Sequence, residues 1–147
     1  MTNPLLDAAH AAALHAHAPY SRFGVGAAIR LGDGSIVTGC NFENASYGLT
    51  LCAETVAVAT LNSAGRLREI REIAIIGGRI ENGAIVGESP VRPCGRCRQI
   101  LNEAAQMAGV DITVHCSSAD RAHVETHALS ALLPLPFGPA DLGIIRE

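Results

Sequence analysis

The 147-residue chain contains no lysine and no tryptophan, and only 3% of its residues are aromatic. So few rings exclude a broad stacking surface for single-stranded nucleic acid, where successive bases pack on successive aromatic faces. All 11 cationic side chains are arginine, set against 14 aspartates and glutamates, for a net charge of -3. That balance lacks the basic footprint that binding to a polyphosphate requires, so the expected partner is small and uncharged; composition leaves room only for a local arginine cluster on one face. No apolar run reaches the ~20 residues of a membrane-spanning helix, and Met1 to Asp7 shows no basic stretch leading into an apolar one, as a secretory leader would. The expected location is the cytoplasm. Five cysteines, an odd number with two of them in a C-x-x-C pair, do not form a disulfide framework of the secreted kind, so reduced thiols are expected. With 48% hydrophobic residues the chain can bury a core without covalent staples, and a single domain over 1–147 is expected.

Local patterns set out the elements. Leu5, Leu6, Ala9, Ala13 and Leu14 recur at helical spacing behind Asn3 as N-cap and Pro4 at the first helical position, which predicts a helix over Pro4–Ala16 ending before Pro19. His10, His15 and His17 fall on it without the i, i+4 pairing that a helical metal site prefers, and are read as surface residues. Gly24–Leu31 and Ile36–Phe42, separated by Gly32-Asp33-Gly34, predict an antiparallel hairpin. Glu43–Leu51 reads as loop, and a mostly buried helix starts at Cys52 and ends near Gly65. Ile70–Ile76 predicts a third strand closed by Gly77-Gly78, with Arg79–Arg92 as loop. A helix over Gly95–Met107 stops at Gly109, Val110–Cys116 predicts a fourth strand, Val124–Leu133 a helix, and Pro134–Pro139 an irregular tail. The order α-β-β-α-β-α-β-α describes an α/β fold, a three-layer αβα sandwich around a mixed sheet.

The chemistry concentrates in Cys52-Ala53-Glu54 and Pro93-Cys94-Gly95-Arg96-Cys97. Each segment opens a predicted helix, where exposed N–H groups and the helix dipole favour thiolates. Three thiols and one carboxylate off the metal match a catalytic zinc site with a position open for water; a structural zinc needs a fourth ligand, and no His or Cys stands beside either segment to supply it. C-x-x-C alone also fits a redox pair, but a redox module has no use for a distant third thiol followed by a carboxylate. Three thiolates on Zn(II) leave a net charge of -1, so a cation or N–H donors are expected close to the sulfurs, with Arg96 and Arg98 as candidates. Cys40 and Cys116 lie in predicted strands and are read as buried thiols.

These residues resemble the zinc-dependent nucleobase deaminases, and more specifically the short-chain cytidine deaminases that act on free nucleosides. The likeness rests on Phe23-Gly24-Val25-Gly26-Ala27-Ala28, Asn41-Phe42-Glu43-Asn44-Ala45-Ser46-Tyr47, Cys52-Ala53-Glu54 and Pro93-Cys94-Gly95-Arg96-Cys97-Arg98-Gln99, four motifs in family order, and extends from Ala18 to Pro134. It implies the cytidine deaminase-like fold and hydrolytic deamination of cytidine or deoxycytidine to uridine or deoxyuridine with release of ammonia, as in pyrimidine salvage. It further implies one zinc per chain on Cys52, Cys94 and Cys97, with Glu54 moving the water proton to N3 and then to the departing amine. Asn41 and Glu43 are implied at the ribose hydroxyls, Phe23 against the base, and Ala45, Tyr47 and Phe137 at a neighbouring subunit's pocket in a homotetramer with shared sites.

One position departs from the family pattern. Members commonly carry Arg directly after Cys-Ala-Glu, where this chain has Thr55. Deaminases of the blasticidin S type also lack that Arg and share Pro-Cys-Gly-Arg-Cys-Arg, so Arg96 is expected to compensate, and a cytosine-containing antibiotic stays open as a substrate. Deaminases of polynucleotides more often place His at the first ligand position. A zinc-stabilised module without turnover would need a closed four-ligand site.

Overall fold

The structure, a computed structural model, describes residues 3–145. Helix α1 spans Pro4–Ala13, and the Asn3 side chain accepts hydrogen bonds from the Leu5 and Leu6 N–H groups, with Pro4 in the first turn. It ends three residues earlier than its composition suggests, so only His10 lies on it. His15 and His17 follow the helix and are exposed, and the His17 backbone bridges to Phe42.

Strands β1 (Phe23–Leu31) and β2 (Ile36–Cys40) form the expected antiparallel hairpin. Helix α2 covers Ala53–Ser63 and helix α3 covers Gly95–Ala108, which ends on Gly109 in the left-handed conformation. Strand β3 (Ile70–Glu81) is central: it runs antiparallel to β1 and parallel to β5 (Thr113–Ser118). The sheet order is β2-β1-β3-β5-β6, with β4 (Ala84–Val86) paired to the far end of β3 and β6 (Val124–Ala128) at the opposite edge.

Two expectations are corrected. Arg79–Arg92 is not simply loop, and Gly77-Gly78 does not close β3: the strand continues to Glu81 and turns back into β4 through Asn82-Gly83, both at positive φ (50° and 76°), the hairpin geometry that Asn-Gly favours. Gly78 stays in the strand because β4 crosses closely there; a Cβ would lie 2.3 Å from the Val86 carbonyl oxygen. Val124–Leu133 is not one helix either. Val124–Ala128 pairs with β5 as an antiparallel edge strand with alternating exposure, and only Leu129–Leu132 (α4) is helical. Its β-branched Val124 and Thr126 suit a half-solvated edge.

Helices cover both faces of the sheet. Along β3, Ile73 and Ile75 pack towards α2 and α3, while Ala74 and Ile76 join Leu5, Leu6, Ala9 and Ala13 of α1. Burial on both sides explains why this strand reads as a continuous apolar run. Gly39 of β2 fixes the seat of α2: a Cβ there would come within 2.5 Å of the Ala57 nitrogen and 2.7 Å of the Ala53 oxygen. This close approach brings the start of α2 down onto the β1–β2 hairpin, beside the start of α3.

A three-sulfur cage beside a buried carboxylate

Cys52 is the N-cap of α2 and Cys94 the N-cap of α3, and neither helix start has a side-chain cap. Both helix starts thus lie beside the sulfurs with their first N–H groups uncapped by side chains, and the two helix dipoles add partial positive charge from two directions. Cys97 lies in the first turn of α3, fully buried, whereas Cys94 is exposed and Cys52 half-buried. The Cys52 and Cys94 sulfurs are 3.8 Å apart, and the Sγ atoms of all three cysteines lie within 4.8 Å of one another. No other group of His, Cys, Asp or Glu among the described residues is placed to hold an ion. Cys40 and Cys116 stand apart in their strands; Cys116 is buried as expected, whereas Cys40, on the edge strand β2, is only half-buried. The donor set fits zinc: three soft sulfurs converge and no fourth protein ligand joins them.

Crowding of the thiols separates their proton affinities. The Cys52 sulfur accepts a hydrogen bond from Cys97 and feels the charge of Arg96, which pulls its pKa down to about 6 against the opposing effect of burial. The Cys97 thiol is pushed up, first because it gives that hydrogen bond and then because it is buried near Glu54. Glu54 is 4% exposed, and burial, aided by the negative charge of Cys52, pushes its pKa up to about 7. A cation in the cage would draw that value back down.

One pocket of about 200 Å³ contains Glu54, Cys52 and Cys94 together with Asn41 and Arg92. Asn41, at the end of β2, is buried, and its amide grips β1: Oδ1 accepts from the Val25 N–H and Nδ2 donates to the Phe23 carbonyl, both at 2.8 Å. Glu43 is buried too, with Oε1 accepting from the Tyr20 and Ser21 N–H groups at 3.0 and 3.1 Å. Burial raises its pKa, but the hydrogen bonds from Ser21 and Tyr20 outweigh this and hold it below the ordinary value. Phe23 borders a neighbouring cleft of about 690 Å³ next to β4.

Of the residues expected at the substrate, only Asn41 lines this pocket; Glu43, Phe23 and the remaining candidates do not. Ala45 is exposed, as are Tyr47 (72%) and Phe137 (63%). The Phe137 carbonyl accepts from Gln99 and Asn102, so the tail lies along α3 rather than over this chain's own cage. Arg96 is exposed and donates to the Thr50 carbonyl at 3.4 Å, and Arg98 ties Pro93 to Leu132 through their carbonyls. Arg92 was missed in the sequence, and so was the contact that Thr55 makes. Arg92 enters the pocket wall and makes a bidentate pair with Glu125 of β6; its position beside Cys94 was the available signal. The Thr55 hydroxyl lies 3.4 Å from the Cys97 sulfur.

Residues 2–114 match the family model described as the cytidine and deoxycytidylate deaminase zinc-binding region. The chain belongs to this family. A cytidine deaminase of Mycobacterium tuberculosis (strain ATCC 25618 / H37Rv) is 44% identical over 142 residues, 95% of this chain and 92% of that protein. One from Halalkalibacterium halodurans is 39% identical over 127 residues, 86% of each. Among solved structures, the cytidine deaminase of Burkholderia pseudomallei superimposes with a TM-score of 0.79 at 38% identity, covering 93% of this chain and 100% of that one. The Mycobacterium tuberculosis enzyme superimposes with a TM-score of 0.70 at 41% identity, covering 92% and 96%. The mixed sheet with its flanking helices is thus the deaminase fold, and zinc is the metal that the three cysteines are positioned to bind.

Proposed function

We propose that this chain, as one deaminase unit, hydrolyses the exocyclic C4–N bond of cytidine and deoxycytidine, giving uridine or deoxyuridine and ammonia. The observation that carries the reading is the Glu54 carboxylate, buried in the same pocket as Cys52 and Cys94 yet outside the group of metal-binding atoms.

Cys52, Cys94 and Cys97 would hold zinc, which when bound would supply Lewis-acid activation of a water. Glu54 accepts a proton from the water and passes it to N3 of the pyrimidine as the water oxygen bonds to C4; it then takes the proton of the new C4 hydroxyl and gives it to the amine, so the C4–N bond breaks, ammonia leaves and the C4 carbonyl forms. A carboxylate held off the metal can both take and return a proton, which a metal-bound carboxylate does poorly. Asn41 and Glu43 receive the sugar. Their backbone hydrogen bonds lock both side chains in place before substrate arrives, so little ordering remains to be done on binding. Phe23, on the adjoining cleft, is the residue assigned to the base.

A pocket of about 200 Å³ is small for a whole nucleoside, and Tyr47, Leu49 and Phe137 expose large apolar surface nearby in sequence to the site segments or on the tail. Both features support a homotetramer in which neighbours complete each site, with Ala45, Tyr47 and Phe137 at the subunit borders. Arg96, by its field at Cys52, takes over part of the charge compensation that Thr55 lacks. No helix among the described residues is long and apolar enough to cross a membrane. A role in pyrimidine salvage in the cytoplasm fits a small nucleoside substrate.

Loss of ultraviolet absorbance with cytidine, deoxycytidine, cytosine and blasticidin S, each with and without chelator, tests the reading. Chelator-sensitive turnover of the two nucleosides is expected. Turnover of blasticidin S alone would reassign the substrate, and no turnover of any would refute deamination.

A further inference from the structure

The cage has an unequal demand for charge relief. Cys94 is exposed to solvent, and Cys52 is half-buried with Arg96 within electrostatic reach, but Cys97 is fully buried, out of reach of solvent. A buried thiolate without a donor is costly, because nothing replaces the hydration it has lost. Among the described residues, the one side-chain hydroxyl that reaches Cys97 is that of Thr55, with Oγ1 3.4 Å from the sulfur.

Its direction is selective. In the same helix the Thr60 hydroxyl takes the usual course for a helical threonine and donates to the carbonyl four residues earlier, Val56, at 2.8 Å. Thr55 instead reaches from α2 across to α3. The carbonyl four residues before it, Leu51, already accepts the Phe42 N–H at 2.9 Å.

We propose that Thr55 is a positioning residue of the metal cage, its hydroxyl donating to the Cys97 thiolate and drawing electron density from the sulfur that solvent cannot reach. Less donation from that sulfur leaves the metal a stronger Lewis acid towards its water. The hydrogen bond also ties the first turns of α2 and α3 together at the point where their sulfurs converge. The inference rests on the reading of Cys52, Cys94 and Cys97 as the ligands.

Cobalt(II) substituted into the intact protein tests it, because the thiolate-to-cobalt charge-transfer band reports the electron density on sulfur. Thr55→Val keeps the shape and removes the donor, and is expected to move the band to lower energy and to lower kcat roughly tenfold, with KM little changed. Thr55→Ser, which restores a hydroxyl, is expected to return the band and most of kcat. A Val variant whose band coincides with that of the parent, or a Ser variant that behaves like Val, would overturn the role of Thr55. Absence of any thiolate band from the parent cobalt protein would instead strike at the ligand assignment itself.

Discussion

Arg92 holds Glu125 with two hydrogen bonds, Nε to Oε1 at 2.8 Å and Nη2 to Oε2 at 2.6 Å, and so joins the wall of the catalytic pocket to the edge strand β6. The pair, with a further contribution from His127, lowers the Glu125 pKa from its ordinary 4.5 to about 2. A depressed carboxylate contributes stability that is fully present above its unfolded-state value and is lost as pH falls through its folded-state value. The stability of the parent is therefore expected to include a component that fades between pH 4.5 and about 2. Glu125→Gln should flatten that part of the profile in urea unfolding, by a modest amount because the pair is solvent-exposed. An unchanged slope would show that the pair adds nothing measurable.

Asn41 holds the backbone of β1, and the proposed function gives it a ribose hydroxyl as well. Its amide satisfies the Val25 N–H and the Phe23 carbonyl, so Asn41→Ala leaves two partly buried backbone groups unpaired. Each costs about 1–3 kcal/mol if no water replaces the amide. The expected result is a lower Tm together with a higher KM for cytidine. A rise in KM with Tm unchanged would confine Asn41 to the sugar.

Glu54→Gln retains the shape of the carboxyl group and the three sulfurs. It should bind one zinc per chain by metal analysis and lose turnover by roughly 100- to 10,000-fold. Retained turnover would remove Glu54 from proton transfer.

Arg96 and Arg98 separate by their partners. Arg98 ties Pro93 to Leu132, so Arg98→Ala should lower Tm. Arg96 has one long contact, to Thr50, and acts on Cys52 through its charge. Arg96→Ala should therefore speed zinc loss to a chelator with little change in Tm. Equal zinc loss in both variants would count against compensation by Arg96.

What could be read from the chain was what its local chemistry determines. Asn3 and Pro4 mark the start of α1, Gly109 the end of α3, and the two cysteine segments declare the cage because each ligand sits at a helix start. The β3–β4 hairpin escaped because Gly77-Gly78 looks like a strand end, and only its contact with β4 shows why glycine is needed inside the strand. Strand β6 escaped because Val124–Leu133 carries enough apolar residues for a helix, and pairing with β5 decides otherwise. Arg92 and Thr55 became visible only when α2, α3 and β6 were brought together, since each acts through a partner more than 30 positions away.

The proposed chemistry depends on a zinc held by three sulfurs with its fourth position left for water. X-ray absorption at the zinc edge of the freshly purified protein measures this directly. Three sulfurs at about 2.3 Å and one light atom, oxygen rather than imidazole nitrogen, at about 2.0 Å are expected. A fourth sulfur, or the scattering signature of a histidine ring, would contradict it.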